Sequence, residues 1–276
     1  MNEYLSRMNE ERVAFAFSGQ SAIFDQLYAG NGIVRYKRGR VREHLIKYLE
    51  PGSSILELNA GTGDDAIFLA KQGYYVHATD LSYGMLEKLK SKVDGLSLRD
   101  AVSSELCSFT SLENLRDQGP YDCVFSNFAG LNCTGDLEKV LKSFEALVKP
   151  GGLVLLVMLP GFCLWETLFM FRGKFRTATR RFFSSNGRRA KIDEAFFTCW
   201  YYSPLFIRKV MKKHFHLMEL EGLCTIVPPS YVENFAEKFP KTFAWLCKME
   251  DRLKNGWPWK YIGDYYIISL RRDQIA

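Results

Sequence analysis

The chain predicts an α/β fold, a mostly parallel sheet with helices on both faces, on two observations. Short apolar runs alternate with amphipathic helical patterns along most of its 276 residues. One alternation is explicit down to its turn. An apolar strand at Ser54–Leu58 enters the glycine turn Asn59-Ala60-Gly61-Thr62-Gly63, and a helix follows from Asp64 to Gln72, closed by Gly73. A second strand starts at Tyr75 and ends in Asp80.

The later elements follow in order. A helix opening near Ser82 carries Met85, Leu86, Leu89 and Val93 as one apolar stripe and is expected to reach Arg99. Two segments compete for the third strand: Leu96–Leu98 ending at Asp100, and Glu105–Phe109 ending near Thr110. The later one is preferred, since it sets Cys107, Ser108 and Phe109 at a strand's carboxyl end. Tyr121–Asn127 reads as the fourth strand, and Leu137, Val140, Leu141, Phe144 and Leu147 define an amphipathic helix before Lys149-Pro150-Gly151-Gly152 and the apolar strand Leu153–Leu159. Ser203-Pro204 starts another helix, with Pro at its first position. Strands around Phe215–Leu220 and Asp264–Leu270 complete the pattern.

The glycine turn describes a nucleotide pocket without a phosphate. Strand, turn and helix, with an acid closing the next strand, make a crevice that grips ribose hydroxyls. A helix N-terminus normally attracts anions, yet Asp64 and Asp65 fill this first turn and Glu57 lies on the strand beneath. A pyrophosphate would be repelled. S-adenosylmethionine (SAM) suits this acidity, because it presents a sulfonium and an ammonium and only one carboxylate.

These residues resemble the first motif of the class I SAM-dependent methyltransferases, Glu-x-Gly-x-Gly-x-Gly, with Asn59 standing for the first glycine. Asn tolerates the left-handed backbone region, so the turn survives the exchange. Tyr121–Asn127 and the Lys-Pro-Gly-Gly turn are similar to the family's fourth strand and its turn before strand five. The resemblance covers roughly residues 20 to 160 and a closing strand. It implies a Rossmann-like, seven-stranded sheet with an antiparallel last strand. It also implies a cofactor site of Glu57, Asn59, Ala60, Gly61 and Gly63, with Asp80 and Leu81 at the ribose, Cys107, Ser108 and Phe109 at the adenine, and Asn127 and Phe128 near the methyl group. Phe24-Asp25-x-x-Tyr28 is similar to an N-terminal cover in which an aromatic closes over the cofactor, and Arg38 or Arg35 is expected at its carboxylate.

The chain is expected to be one domain over residues 1–276, with an N-terminal cover at about 1–50 and lids at about 161–202 and 224–263. The first lid carries Arg172, Lys174, Arg176, Arg180, Arg181, Arg188, Arg189 and Lys191 without an intervening acid. The run has two readings: a solvated helix face, or a seat for an anionic group on the substrate or on a carrier protein. In the second, Arg180 and Arg181 steer or hold the anion. Duplex nucleic acid is not expected, since no recognition motif accompanies the cluster and the net charge is only +6. The aromatics of the same lid, among them Phe162, Trp165, Phe169, Phe171, Phe182, Phe183, Phe196, Phe197 and Trp200, suit lid core and an apolar pocket for a drug-sized organic acceptor. Pro228-Pro229-Ser230-Tyr231 and Trp257-Pro258-Trp259 serve either as pocket walls or as turns.

The seven cysteines form no C-x-x-C pair, the first residues carry charges where a signal peptide needs an apolar run, and no apolar stretch is long enough to span a bilayer. A cytoplasmic protein with reduced thiols is the expectation. Methyl transfer from a sulfonium needs alignment more than side-chain chemistry; Tyr201, Tyr202 and Glu166 are the candidates for a base. His214 and His216 alternate as a metal pair would, but no further ligand completes a set, and no metal is expected; His77 reads as a core residue. Gly61-x-Gly63-x-x-Ala66 with Asp80 also fits an NAD-dependent oxidoreductase, and a silent SAM-binding relative is a third reading.

Overall fold

The computed structural model describes residues 3–173, 175, 179–182, 187–192 and 194–274. Seven strands form the main sheet: β1 (Ser54–Leu58), β2 (Tyr75–Asp80), β3 (Val102–Leu106), β4 (Tyr121–Ser126), β5 (Val148–Met158), β8 (Phe215–Leu223) and β9 (Tyr265–Arg272). Their order is β3-β2-β1-β4-β5-β9-β8. β9 runs antiparallel to both its neighbours, and the other pairings are parallel. From β1 the chain first winds outward through β2 to β3, then returns to β1's other side as β4. The β1/β4 boundary is therefore the switch point where the loops diverge and a crevice opens at the strands' carboxyl ends.

Alternation along the strands builds two cores. Leu56, Leu58, Val124, Val154 and Leu156 face α6 (Leu137–Leu147) and α8 (Pro204–Met211). Ile55, Cys123, Phe125, Leu153 and Leu155 face α3 (Gly32–Ile46), α4 (Asp64–Lys71) and α5 (Tyr83–Gly95). The predicted start signals are present: Ser82 accepts a hydrogen bond from Met85 N, and Ser203 accepts one from Phe206 N ahead of Pro204. No helix among the described residues is long and apolar enough to cross a membrane, and the seven cysteines are free.

The third strand corrects the sequence reading. It is Val102–Leu106, paired Val76↔Val102 through Asp80↔Leu106, instead of Glu105–Phe109. α5 stops at Gly95 rather than Arg99, because Ser97 takes a positive φ of 55° and its amide and that of Leu98 turn back to Asp94 O and Val93 O. Leu106 is exposed at this sheet edge, so the strand lacked the apolar run that marks an interior one. A further departure is a hairpin, β6 (Arg188–Ile192) with β7 (Ala195–Cys199), inside the stretch expected to be helical or lid-like. The basic residues Arg188, Arg189 and Lys191 stand on that strand and not on a helix face.

Asn59 does adopt the left-handed region, at φ 50°. Its side-chain amide donates to Asn127 O at 3.0 Å and its side-chain carbonyl accepts from Ser126 Oγ at 2.7 Å, so Asn59 ties the ends of β1 and β4 across the switch point. The facing residue must be small: a Cβ on Gly130 would meet Asn59 Cγ at 2.1 Å. Gly130→Ala is expected to destabilise the fold by about 1–3 kcal/mol, and adding Asn59→Gly to recover part of that loss, with a coupling of about 1 kcal/mol or more. A double-mutant cycle by urea unfolding measures it; strictly additive effects would break the pairing argument.

Candidate functional site

The loops that leave the switch point enclose a cavity. Asn59, Ala60 and Gly61 after β1 line it, as do Asp80 and Leu81 at the end of β2, Phe109 beyond β3, and Asn127, Phe128, Ala129 and Gly130 after β4. α1 (Glu3–Gln20) supplies Glu10, Val13, Ala14 and Phe17; α2 (Phe24–Ala29) supplies Phe24. Arg38, Glu57, Asp65, Met85 and Cys133 complete the wall. The surface is predominantly apolar, with carboxylates set into it.

Each carboxylate has a different state. Asp80 is held by two backbone amides, Gly61 N to Oδ2 at 2.9 Å and Ser82 N to Oδ1 at 2.8 Å. Burial raises its pKa although those amides oppose the shift. Asp65 is saturated: Arg42 Nε donates to it at 2.7 Å, Asn127 Nδ2 at 2.8 Å and Arg38 Nη1 at 3.2 Å. Glu57 lies beneath it, 2% exposed, with Oε2 lacking any hydrogen-bond partner. Its pKa rises well above the ordinary carboxylate range, through burial first and the charge of Asp65 second. Such a group keeps its proton unless a cation is brought against it.

The expected cofactor residues divide. Glu57, Asn59, Ala60, Gly61, Asp80, Leu81, Phe109, Asn127, Phe128 and Arg38 line the cavity. Gly63, Cys107, Ser108 and Tyr28 do not. Gly63 caps α4 with φ 79° against Leu89; Cys107 is buried, and burial lifts its thiol to about 11. Ser108 donates to Glu10 from behind the wall. Tyr28 is largely exposed, and Phe24, edge-on to it at 5.0 Å, takes the cavity position. Arg35 points outward to Ala29 O. Asn127 is already engaged at both ends, since Phe128 N donates to its Oδ1 at 2.8 Å.

The base candidates stand elsewhere; none lines the cavity. Glu166 sits on the short helix α7 (Leu164–Leu168). Burial would raise its pKa, but Arg180 and Arg181 outweigh it and hold the carboxylate below its ordinary value, so it is a poor proton acceptor. Tyr202 donates to Thr134 O at 2.6 Å, and Tyr201 lies under the Arg181 guanidinium at 5.2 Å; burial raises the pKa of both phenols. His214 and His216 face separate acids, Glu145 at 3.3 Å and Asp273 at 2.7 Å, and do not form a pair. His77 is satisfied by Ser103 Oγ at 2.7 Å and Glu105 at 3.3 Å.

The anion reading of the basic run fails at its named residues. Arg181 is 3% exposed and donates to Glu166 Oε1 at 2.5 Å, Asp264 Oδ1 at 2.7 Å and Asp264 O at 2.9 Å. Arg180 makes two hydrogen bonds to Glu166. Glu166 and Asp264 thus compensate Arg180 and Arg181. Arg189 lies flat on Phe196 at 3.6 Å. Lys174, Arg176 and Phe183 fall outside the described residues, as do the side chains of Phe171 and Arg172.

Sequence reading missed Glu10, Val13, Ala14 and Phe17 as a set. Their spacing is i, i+3, i+4, i+7, one helix face, and that periodicity was the available signal.

A family model described as a methyltransferase domain matches residues 55–152, the stretch from β1 into β5 that holds the switch point. Residues 55–152 form a class I methyltransferase domain. The demethylmenaquinone methyltransferase of Bacillus mycoides (strain KBAB4) is 32% identical over 154 residues, which is 55% of this chain and 63% of that protein. This chain therefore aligns with less than two thirds of that relative's length. Among solved structures, the Burkholderia thailandensis 1,6-didemethyltoxoflavin-N1-methyltransferase, with 1,6-didemethyltoxoflavin and S-adenosylhomocysteine bound, matches with TM-score 0.57 at 14% identity, over 98% of this chain and 91% of that one. The geranyl diphosphate C-methyltransferase of Streptomyces coelicolor A3(2) matches with TM-score 0.53 at 14% identity, over 86% and 79%. These two likenesses are likenesses of fold.

The methyltransferase-domain match ends before Arg181, whose ion pairs fasten the following segment to β9's entry at Asp264. Arg181→Ala leaves two buried carboxylates without their shared cation, and is expected to cost about 3–5 kcal/mol of stability. An exposed basic residue would cost within about half a kcal/mol. Urea unfolding distinguishes these outcomes.

Proposed function

We propose that the chain is a SAM-dependent methyltransferase acting on a small organic acceptor. The observation that carries this reading is Glu57, a buried carboxylate with one unpartnered oxygen that lines the cavity beside Asp65. A phosphate-bearing dinucleotide has nothing to offer it; an ammonium does. Asp80, fixed by two amides, keeps lone pairs for a ribose diol, and Arg38 is the lining cation for a carboxylate. The residues fit SAM, which when bound supplies an electrophilic methyl group.

The chain's own part is alignment and exclusion of water. Phe17 and Phe24, in edge contact at 6.2 Å, close the cavity from the N-terminal side, and Phe109 and Phe128 add apolar walls. Such a lining suits an aromatic or isoprenoid acceptor, in keeping with the name of the Bacillus mycoides relative. The carrier-bound version of the acceptor loses its support with Arg180 and Arg181. The N-terminal helices act as the cofactor cover, whereas no described residue of 161–202 or 224–263, the segments expected as lids, lines the cavity.

Calorimetry with SAM, S-adenosylhomocysteine and NAD tests the reading: the first two bind, and saturable NAD binding instead would overturn it in favour of an oxidoreductase. Asp80→Ala is expected to weaken SAM binding by about 2–4 kcal/mol. Affinity should also depend on pH in a fixed direction. Glu57 and Asp80 both titrate above their ordinary range, and a cationic ligand needs Glu57 ionised, so affinity falls as the pH drops from mildly alkaline to mildly acidic. Tighter binding at the acidic end would contradict the pairing of Glu57 with a cation.

A further inference from the structure

The helix α1 has a second face that the cavity does not use. Met8, Glu11, Arg12 and Phe15 are spaced i, i+3, i+4, i+7, and so are Glu10, Val13, Ala14 and Phe17 of the cavity wall. The two sets are offset by two residues, about 200° around a helix, so the first set looks away from the cavity. Phe15 is 77% exposed there. Across a shallow groove from it stand Ala195 and Phe196 at the start of β7, and Phe196 is 40% exposed. Single apolar side chains in water need no explanation, whereas two rings flanking one groove form a patch.

Cations border the patch. Strand alternation sets Arg189 and Lys191 of β6 on the same outer side as Phe196, with the Arg189 guanidinium 3.6 Å and Lys191 Nζ 5.3 Å from its ring centroid, while Phe197 and Cys199 turn inward to pack with Val13. Acids answer two of the surrounding cations: Glu11 pairs with Arg7 at 3.3 Å, and Glu194 with Lys191 at 3.5 Å. Among the described residues no carboxylate lies within ion-pair distance of Arg12 or Arg189. The patch therefore has an aromatic centre and two uncompensated guanidiniums, on a chain of net charge +6. That combination suits a surface that is itself apolar within and anionic outside, where rings insert and guanidiniums meet phosphates. A second copy of the same face would set like charges against each other.

We propose that this outer face docks on an anionic lipid bilayer, with Phe15 and Phe196 entering the headgroup region and Arg12 and Arg189 held on lipid phosphates. The proposal stands on the outer side of α1 and does not rest on the SAM reading. Because the inner side of the same helix walls the cavity, a single helix divides the cavity from the docked bilayer.

Co-sedimentation of the full chain with phosphatidylcholine vesicles, with and without phosphatidylglycerol, tests this. The wild type should partition onto the vesicles that contain phosphatidylglycerol, far less onto phosphatidylcholine alone, and binding should fall as salt rises. Phe15→Ser should lower the partition coefficient about 10-fold or more, the effect of withdrawing one buried phenyl ring. Arg12→Gln and Arg189→Gln should lower it about 5-fold each. The urea-unfolding midpoint of the Phe15 and Arg12 variants should match the wild type, which separates docking from damage to the fold. Failure to bind the anionic vesicles, or binding that Phe15→Ser leaves unchanged, overturns the proposal. A dimer in sedimentation velocity that Phe15→Ser dissolves also overturns it, and gives the face to a second copy of the chain.

Discussion

Asp65 is the group on which the crevice depends. Arg38 and Arg42 reach it from α3, Asn127 from the end of β4, and it stands in the first turn of α4, so one carboxylate joins three elements at the point where the sheet's winding reverses. Its placement at a helix N-terminus is itself favourable. The arrangement also fixes the electrostatics. Asp65 takes hydrogen bonds from both guanidiniums, and Glu57 on the strand beneath is left buried, crowded by Asp65 and with Oε2 unpartnered. The site is built around a buried carboxyl group with an oxygen that the protein leaves without a partner.

The rest of the cavity follows from that geometry. Parallel strands deliver their carboxyl ends side by side, so residues from four separate loops meet without any being near another in sequence. Asn59 and Gly130 are an example of mutual dependence across that gap. The asparagine side chain occupies the space that a Cβ on residue 130 would need, and in return hydrogen-bonds both Ser126 and Asn127. A glycine at 59 would satisfy the turn but leave the strand ends untied.

The basic segment after β5 shows how charge runs mislead. Eight cations without an acid suggest an anion seat, yet Glu166 and Asp264, the latter more than 80 residues from Arg181 along the chain, already occupy the guanidiniums of Arg180 and Arg181. Buried ion pairs of this kind are costly to desolvate and therefore need good geometry. Arg181 has it, with four hydrogen bonds to carboxylates and carbonyls.

By itself the sequence determined the strand-turn-helix at residues 54–72, the acid ending β2, the capped helices at Ser82 and Ser203, and the sheet in which they sit. Each is a local matter of period, cap or turn chemistry, readable within a dozen residues. Where local signal was weak, reading slipped: β3 is a short edge strand with polar positions, and the β6/β7 hairpin carries charges on a strand. Only the tertiary structure decided which polar groups are spoken for. It separated Glu166, Tyr201 and Tyr202 from the cavity and brought Glu10 into it, because burial and partnership are set by other chain segments, from 14 residues away for Glu166 and Arg180 to 100 for Glu10 and Thr110. A residue type announces what chemistry is possible, whereas the neighbours supplied by folding determine whether its charge is already compensated.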